Sequence, residues 1–305
     1  MTLSSLHIDE VCRRLRGAGI AIRTGPFTFR IRSPIPPVAI GFAFLYADYP
    51  LVDGREFIDF DVHLAFGVGL RRWIRPQVRF CYDGMSPFEP LPVGHAVPLL
   101  EWAMNWCISS QAHQYLILHA AVIERDGMAA ILPAPPGSGK STLCAGLMSR
   151  GWRLLSDELT LISPNDLSIT SLCRPVSLKN QSLSVIQAFE PGARFSEVTH
   201  DTVKGAVSHM KVPRSHLDRI MQRAKPAWVV FPKYVKDAEA RLTDRSRASS
   251  MLELGRNAFN YTLLGRTGFE PLADVVSASD CHDFEYGRLD DAVAVFDSLA
   301  AARRQ

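Results

Sequence analysis

The chain has 305 residues, enough for two domains or for one large domain with an appendage. Its 34 basic and 31 acidic residues give a net charge of +3 and are scattered along the sequence, which excludes nucleic acid and anionic membrane as main partners. Six cysteines, at 12, 81, 107, 144, 173 and 281, form no Cys-x-x-Cys pair and have no histidine at metal spacing. They read as buried apolar residues of a reducing compartment and not as a zinc site.

Residues 4–16 carry Leu6, Ile8, Val11 and Leu15 at helical spacing before Gly17, which predicts a short amphipathic helix. Asp9 and Glu10 leave no signal-peptide core there. Segments 20–23, 27–31, 38–45, 57–64 and 78–82 read as strands separated by Pro, Gly and Asp. With no helix between them, antiparallel pairing follows. The apolar run 38–47 stops at Asp48, too short to span a membrane, so the chain is expected in the cytoplasm. Behind Pro98, residues Leu99, Leu100, Trp102, Ala103 and Trp106 predict a helix ending near Ser110. This divides the chain into a smaller antiparallel β-rich α+β domain, 1–112, of unknown role, and a second domain, 113–305.

In the second part, strands 115–123 and 128–132 flank the turn Arg125-Asp126-Gly127. A helix from Gly139 to about Arg150, strands at 152–156, 159–162 and 168–173, a helix at 177–189, a buried strand at 227–231 and a closing helix at 290–301 follow. A hairpin in front of the glycine-rich loop departs from an all-parallel nucleotide fold, whose strands arrive by helical crossovers. The predicted class is therefore α/β with a mixed, partly antiparallel sheet.

The loop itself, Ala134-Pro135-Pro136-Gly137-Ser138-Gly139-Lys140-Ser141-Thr142, follows the apolar run 128–132 and has the form of a phosphate-binding P-loop. Glycines at 137 and 139 let successive N–H groups curl around phosphate oxygens. Lys140 then reaches the β/γ-phosphates, the Ser141 hydroxyl holds Mg²⁺, and the helix start is electropositive. Asp157 ends an apolar strand 17 residues after Lys140, at the edge of the sheet where the P-loop opens. A carboxylate there binds Mg²⁺, directly or through water, or accepts a proton from an attacking hydroxyl. Glu158 supplies a second carboxylate, although strand alternation sends neighbours to opposite faces. His119, among apolar neighbours on the strand paired with the P-loop strand, reads either as a packed core residue or as a partner for Asp157 or a phosphoryl oxygen.

His119-Ala-Ala, the P-loop, and Arg150-Gly-Trp-Arg-Leu-Leu-Ser-Asp-Glu158 together resemble the catalytic core of bacterial HPr kinase/phosphorylase over residues 115–160. Arg174-Pro-Val-Ser-Leu-Lys-Asn180, Thr202-Val-Lys-Gly205 and Asn257-Ala-Phe-Asn-Tyr261 are similar to the related proteins called HprK-related kinase A. The resemblance implies a P-loop kinase core of the HPr kinase/phosphoenolpyruvate carboxykinase type, and a phosphotransferase using ATP and Mg²⁺. By it, Asp157 is the base that activates the acceptor hydroxyl, His119 its partner, and Ser141, Asp157 and Glu158 the metal ligands. Arg174, Lys179 and Lys204 become candidates for a cation near Lys140. A serine of a peptide or small protein is the implied acceptor, and a homo-oligomer the implied assembly.

Departures limit what carries over. Ala134 replaces the first Gly and Glu158 the second Asp of the family pair. The Arg-Gly-Ile-Gly-type signature after Cys173 is missing, so neither HPr as substrate nor phosphorolysis is implied. No Asn-Lys-x-Asp motif and no Leu-Ser-Gly-Gly-Gln signature follows the P-loop, which sets aside switch GTPases and transport ATPases. The remaining alternatives are a small-molecule kinase and a non-catalytic nucleotide-sensing module.

Overall fold

We describe the protein from a computed structural model that covers residues 1–53 and 55–303. A 3-10 turn at Leu3–Ser5 leads into helix α1 (Ile8–Arg16), which buries Val11 and Leu15 and ends at Gly17. β1 (Ile20–Thr24) and β2 (Phe27–Arg32) form an antiparallel hairpin. The segment expected as a strand at 38–45 is instead helix α2 (Pro36–Leu45). Two prolines fit its first turn, where N–H groups have no intrahelical acceptor. An unbroken apolar run carries no period to tell helix from strand, and the prolines decide it.

That correction changes the pairing of the first sheet. Because α2 crosses over, β3 (Phe60–Phe66) lies parallel to β2, with Phe29 opposite Phe60. The sheet, completed by β4 (Gln77–Tyr82) and β5 (Leu91–Pro92) in the order β1-β2-β3-β4-β5, is mixed and not wholly antiparallel. Helix α3 (Ala96–Gln111) follows and packs on α2, β3 and β4.

β6 (Leu116–Arg125) and β7 (Met128–Pro133) form the expected hairpin. Asp126 and Gly127 have φ of 55° and 80°, the left-handed pair that a tight two-residue turn demands. The glycine-rich loop leads to α4 (Lys140–Met148), then β8 (Arg153–Ser156), β9 (Leu159–Ile162), β10 (Ile169–Thr170) and β11 (Val176–Lys179). The helix expected at 177–189 is shorter: its first residues belong to β11, and α5 (Gln181–Phe189) starts after Asn180, whose φ is 51°. β12 (Thr199–Thr202), β13 (Gly205–Met210), α6 (Arg214–Leu217), β14 (Lys225–Tyr234) and β15 (Arg241–Asp244) precede helices α7 (Arg247–Arg256), α8 (Tyr261–Leu264) and α9 (Arg266–Ala278). β16 (Asp280–Tyr286) and α10 (Leu289–Ala302) close the chain.

The large sheet runs β10-β9-β6-β7-β14-β16-β15, with β8 also on β6. β14 is parallel to β7 and β16, and the other pairs are antiparallel, so the sheet is mixed. Leu143 and Leu147 of α4 and Phe296 of α10 cover one face with Ala121, Ala130 and Leu132. Leu254, Leu272 and Val275 of α7 and α9 cover the other with Leu118, Val122 and Ile131. A third sheet, β11-β13-β12, stands beside these layers. The first core cluster contains residues from Leu3 to Ala300 and crosses residue 112. Tyr49 Oη donates to the Cys173 carbonyl at 3.1 Å, and Lys211 pairs with Asp48 at 2.6 Å. Among the described residues no helix is long and apolar enough to cross a membrane.

Candidate active site

The loop between β7 and α4 is shaped by its glycines and braced from behind. Gly137 and Gly139 have φ of 85° and 89°, which L side chains rarely adopt. A Cβ on Gly137 would meet nothing, whereas one on Gly139 would lie 2.6 Å from Tyr286 Oη and 2.9 Å from Tyr234 Cβ. Those tyrosines end the parallel strands β14 and β16. Tyr286 Oη donates to the Gly139 carbonyl at 3.0 Å, and the Tyr234 N–H donates to the Ser138 carbonyl at 2.9 Å. Lys140, the first residue of α4, is 9% exposed and has no ion pair or hydrogen bond from its ammonium among the described residues. Ser138 Oγ is likewise buried without a partner. A mostly buried lysine and a buried hydroxyl without an acceptor, beside a helix N-terminus, fit an anion that the loop admits.

β8 and β9 are both antiparallel partners of β6, end to end. Ile123 pairs with Leu154 but Val122 with Ser156, so β8 carries one extra residue at Leu155. The Leu155 carbonyl is taken by the Leu172 N–H at 2.8 Å. This bulge reverses the alternation and turns Asp157 toward α4. Ser156 Oγ then accepts from the N–H groups of Glu158 and Leu159 at 3.3 and 3.0 Å, and Asp157 and Glu158 lie outside the ladder. The expectation from regular alternation, one carboxylate to each face, therefore does not apply: Lys140 and Lys179 act on both.

The two carboxylates titrate apart. Burial raises the Asp157 pKa to about 6, with Glu158 adding to it and Lys140, the Ser141 hydroxyl and Lys179 opposing. Burial also disfavours the Glu158 anion, but Lys140, Lys179, Lys204 and His119 together bring its pKa below the ordinary value. Asp157 Oδ2 accepts from the Ser177 N–H at 3.2 Å. Its Oδ1 is buried with no hydrogen-bond partner among the described residues, and the Ser141 hydroxyl lies close enough to the carboxyl group to favour its anion. An oxygen pair of this kind, Ser141 with a partnerless carboxylate oxygen, fits Mg²⁺, which takes one or two protein oxygens and completes its shell with phosphates and water. No group of three His, Cys, Asp or Glu side chains could hold a metal among the described residues, so the fit rests on Ser141, Asp157 and Glu158.

His119 is half-buried on β6, its backbone N–H donating to the Asn257 carbonyl at 2.6 Å and its ring 5.8 Å from that of Phe259. Burial lowers its pKa to about 4, with Lys140 next and Glu158 opposing. No hydrogen bond joins it to Asp157 among the described residues; Glu158 is the carboxylate it faces. Thr142 Oγ1 donates to Ser182 on α5 at 2.8 Å, so this last residue of the motif braces the helix. Arg174 is 6% exposed and points to α3: it donates to Glu101 Oε2 at 2.6 Å, the Glu101 carbonyl at 2.8 Å and Asn105 Oδ1 at 2.7 Å. Its charge is matched by Glu101, whereas Lys179 and Lys204 act on Glu158. The Lys204 turn is pinned by Asn180, which donates to the Lys204 carbonyl at 3.2 Å and accepts from the Ala206 N–H at 3.0 Å. Two segments singled out in the sequence, 174–180 and 202–205, thus meet at the carboxylates.

A cavity of about 730 Å³ opens onto the same carboxylates. Its lining joins residues 87–105 to Asp157, Glu158, Lys179, Lys204 and His209. The sequence places Trp102 on the apolar face of this helix with Leu99, Leu100, Ala103 and Trp106; it is instead 50% exposed and lines the cavity.

The protein-family profile described as "ScmC: SynChlorMet cassette protein ScmC" matches residues 97–169. No curated protein sequence matches the chain. Among solved structures, the chain is similar to the HPr(Ser) kinase/phosphatase from Coxiella burnetii, with 13% identity, a TM-score of 0.29, and coverage of 62% of this chain and 95% of that one.

Proposed function

We propose that this chain is an ATP-dependent phosphotransferase of the HPr-kinase-like type, which passes the γ-phosphoryl group to a hydroxyl, a serine of a peptide or small protein. The observation that supports it is Asp157: buried, raised to about 6, and with one partnerless oxygen beside Ser141 and Lys140 of a P-loop sequence. On this reading the amides of 137–140 and the Lys140 ammonium hold the β- and γ-phosphates. Ser141, Asp157 and Glu158 are the oxygens that would hold Mg²⁺, which when bound neutralises phosphate charge.

The acceptor oxygen forms a bond to the γ-phosphorus while the bond from that phosphorus to the β,γ-bridging oxygen breaks, its electron pair leaving with ADP. The hydroxyl proton passes to the Asp157 carboxylate, a base whose pKa lies close to working pH. Glu158, kept anionic by three lysines, supports that role by holding Asp157 up. Lys179 and Lys204 supply positive charge where the transferred group gains negative charge. His119, neutral at pH 7, orders the Glu158 side of the site. Residues 1–112, taken as a unit, contribute the outer wall of the cavity.

The test is transfer from γ-labelled ATP with Mg²⁺ to hydroxyl-bearing peptides and simple alcohols. Wild-type protein is expected to label an acceptor. Asp157→Asn is expected to keep nucleotide binding and lose transfer by orders of magnitude. Equal transfer by that variant removes Asp157 as base.

A further inference from the structure

The cavity beside the carboxylates has a built character that the nucleotide site does not use. None of the residues 134–142 lines it, so it reaches Asp157 and Glu158 from the side away from the loop. One wall is an aromatic slab: Phe88 and Trp102 stack with ring centroids 4.3 Å apart and 15° between planes, and half of Trp102 is exposed. The backbone elements around it are strand edges. β5 supplies Leu91 and Pro92, β12 supplies Asp201 and Thr202, and each is the outer strand of its sheet. His200 and Asp201 of β12 are exposed. Asp201 has a φ of 58° and the β12–β13 ladder shifts register between Thr199 and Thr202, so this rim is an irregular edge. An extended segment crossing the cavity sends alternate side chains to the same side.

Resting on the phosphotransferase reading, we infer that the acceptor is an extended peptide that crosses this cavity, directs a serine or threonine hydroxyl to Asp157, and lays a bulky apolar side chain against Phe88 and Trp102. Because both side chains enter one cavity, they share a face of the strand. The apolar residue therefore stands an even number of positions from the hydroxyl residue. Lys179 and Lys204 sit at the hydroxyl end, Leu99 and Leu172 at the wall, so the cavity is amphipathic in the sense the peptide requires.

The experiment uses the full-length protein and a set of synthetic peptides with one serine, in which a single Phe is moved from four positions before it to four after. Binding is read by fluorescence anisotropy in the presence of a non-hydrolysable ATP analogue, and transfer by labelled ATP. Peptides with Phe at even spacing are expected to bind roughly tenfold or more tighter than those at odd spacing. Trp102→Ala is expected to abolish that difference with an unchanged melting transition, and Trp102→Phe to keep it. Equal binding at odd and even spacing, indifference to Trp102→Ala, or phosphorylation of simple alcohols as efficient as that of the best peptide overturns the inference. Even-spaced binding without transfer to any peptide or alcohol overturns the phosphotransferase reading instead, and with it the assignment of the bound peptide as acceptor.

Discussion

Asp157→Asn in the ligand-free protein should stabilise it, by an amount that depends on pH. Burial lifts the carboxyl from its ordinary 3.8 to about 6, so the folded chain holds this proton more tightly than the unfolded chain does. The contribution to stability is fully present below the unfolded value of 3.8 and is lost as pH rises through about 6. At about 1.4 kcal/mol per pH unit, the interval amounts to about 3 kcal/mol of strain carried by the anion at pH 8. Asparagine keeps an oxygen for the Ser177 N–H and carries no charge. Urea denaturation at pH values from 3.5 to 8 measures the difference. The variant should match wild type near pH 3.5 and exceed it by about 3 kcal/mol at pH 8, the change falling between pH 4 and 6. His119 tilts each curve the other way: its pKa, lowered to about 4, gives stability above its ordinary 6.5 that is lost as pH falls. That slope is common to both proteins and drops out of the difference. A pH-independent difference, or no gain at pH 8, refutes the account.

Gly137→Ala and Gly139→Ala should separate: both meet a left-handed φ costing roughly 1–2 kcal/mol, but only the second drives a Cβ into Tyr286 and Tyr234. Thermal unfolding and nucleotide titration calorimetry should show the larger loss at 139, and equal losses would contradict the brace. Arg174→Ala leaves Glu101 buried and unpaired, so a stability loss of about 3–5 kcal/mol is expected by denaturant titration. A fall in transfer rate with unchanged stability would assign Arg174 to the phosphate. The kcat/KM of transfer, which reports the free protein, should rise with pH through an apparent pKa near 6 as Asp157 ionises. Lys179→Ala, which removes a cation acting on both carboxylates, should move that limb upward, and a downward movement speaks against the charge arrangement.

What the sequence disclosed depended on local signals. Asp126-Gly127 announced the β6–β7 hairpin, and the glycine spacing announced the loop, because backbone conformation there is set by two or three residues. Asp157 could be reached by counting from Lys140. The run 38–45 misled because it lacks periodicity, and with it went the parallel pairing of β2 and β3. β16 was passed over because Asp280, His282, Asp283 and Glu285 interrupt its buried Cys281, Phe284 and Tyr286. Pro271 similarly hid α9. At the site, the partners of Arg174 and His119 come from Glu101 and Asn257, dozens of residues away, and no local pattern names them. The cavity wall needed the packing of 87–105 on 156–209, which is a tertiary fact.

The bulge at Leu155 makes the direction of Asp157 sensitive to chain length at a spot that is not a loop. Insertions at a surface turn leave distant side chains as they were, but removing one residue here re-phases the strand and rotates Asp157 away from the helix that carries Lys140. The count of residues between Arg153 and Leu159 therefore matters more to the direction of this carboxylate than the identity of the bulged side chain at 155.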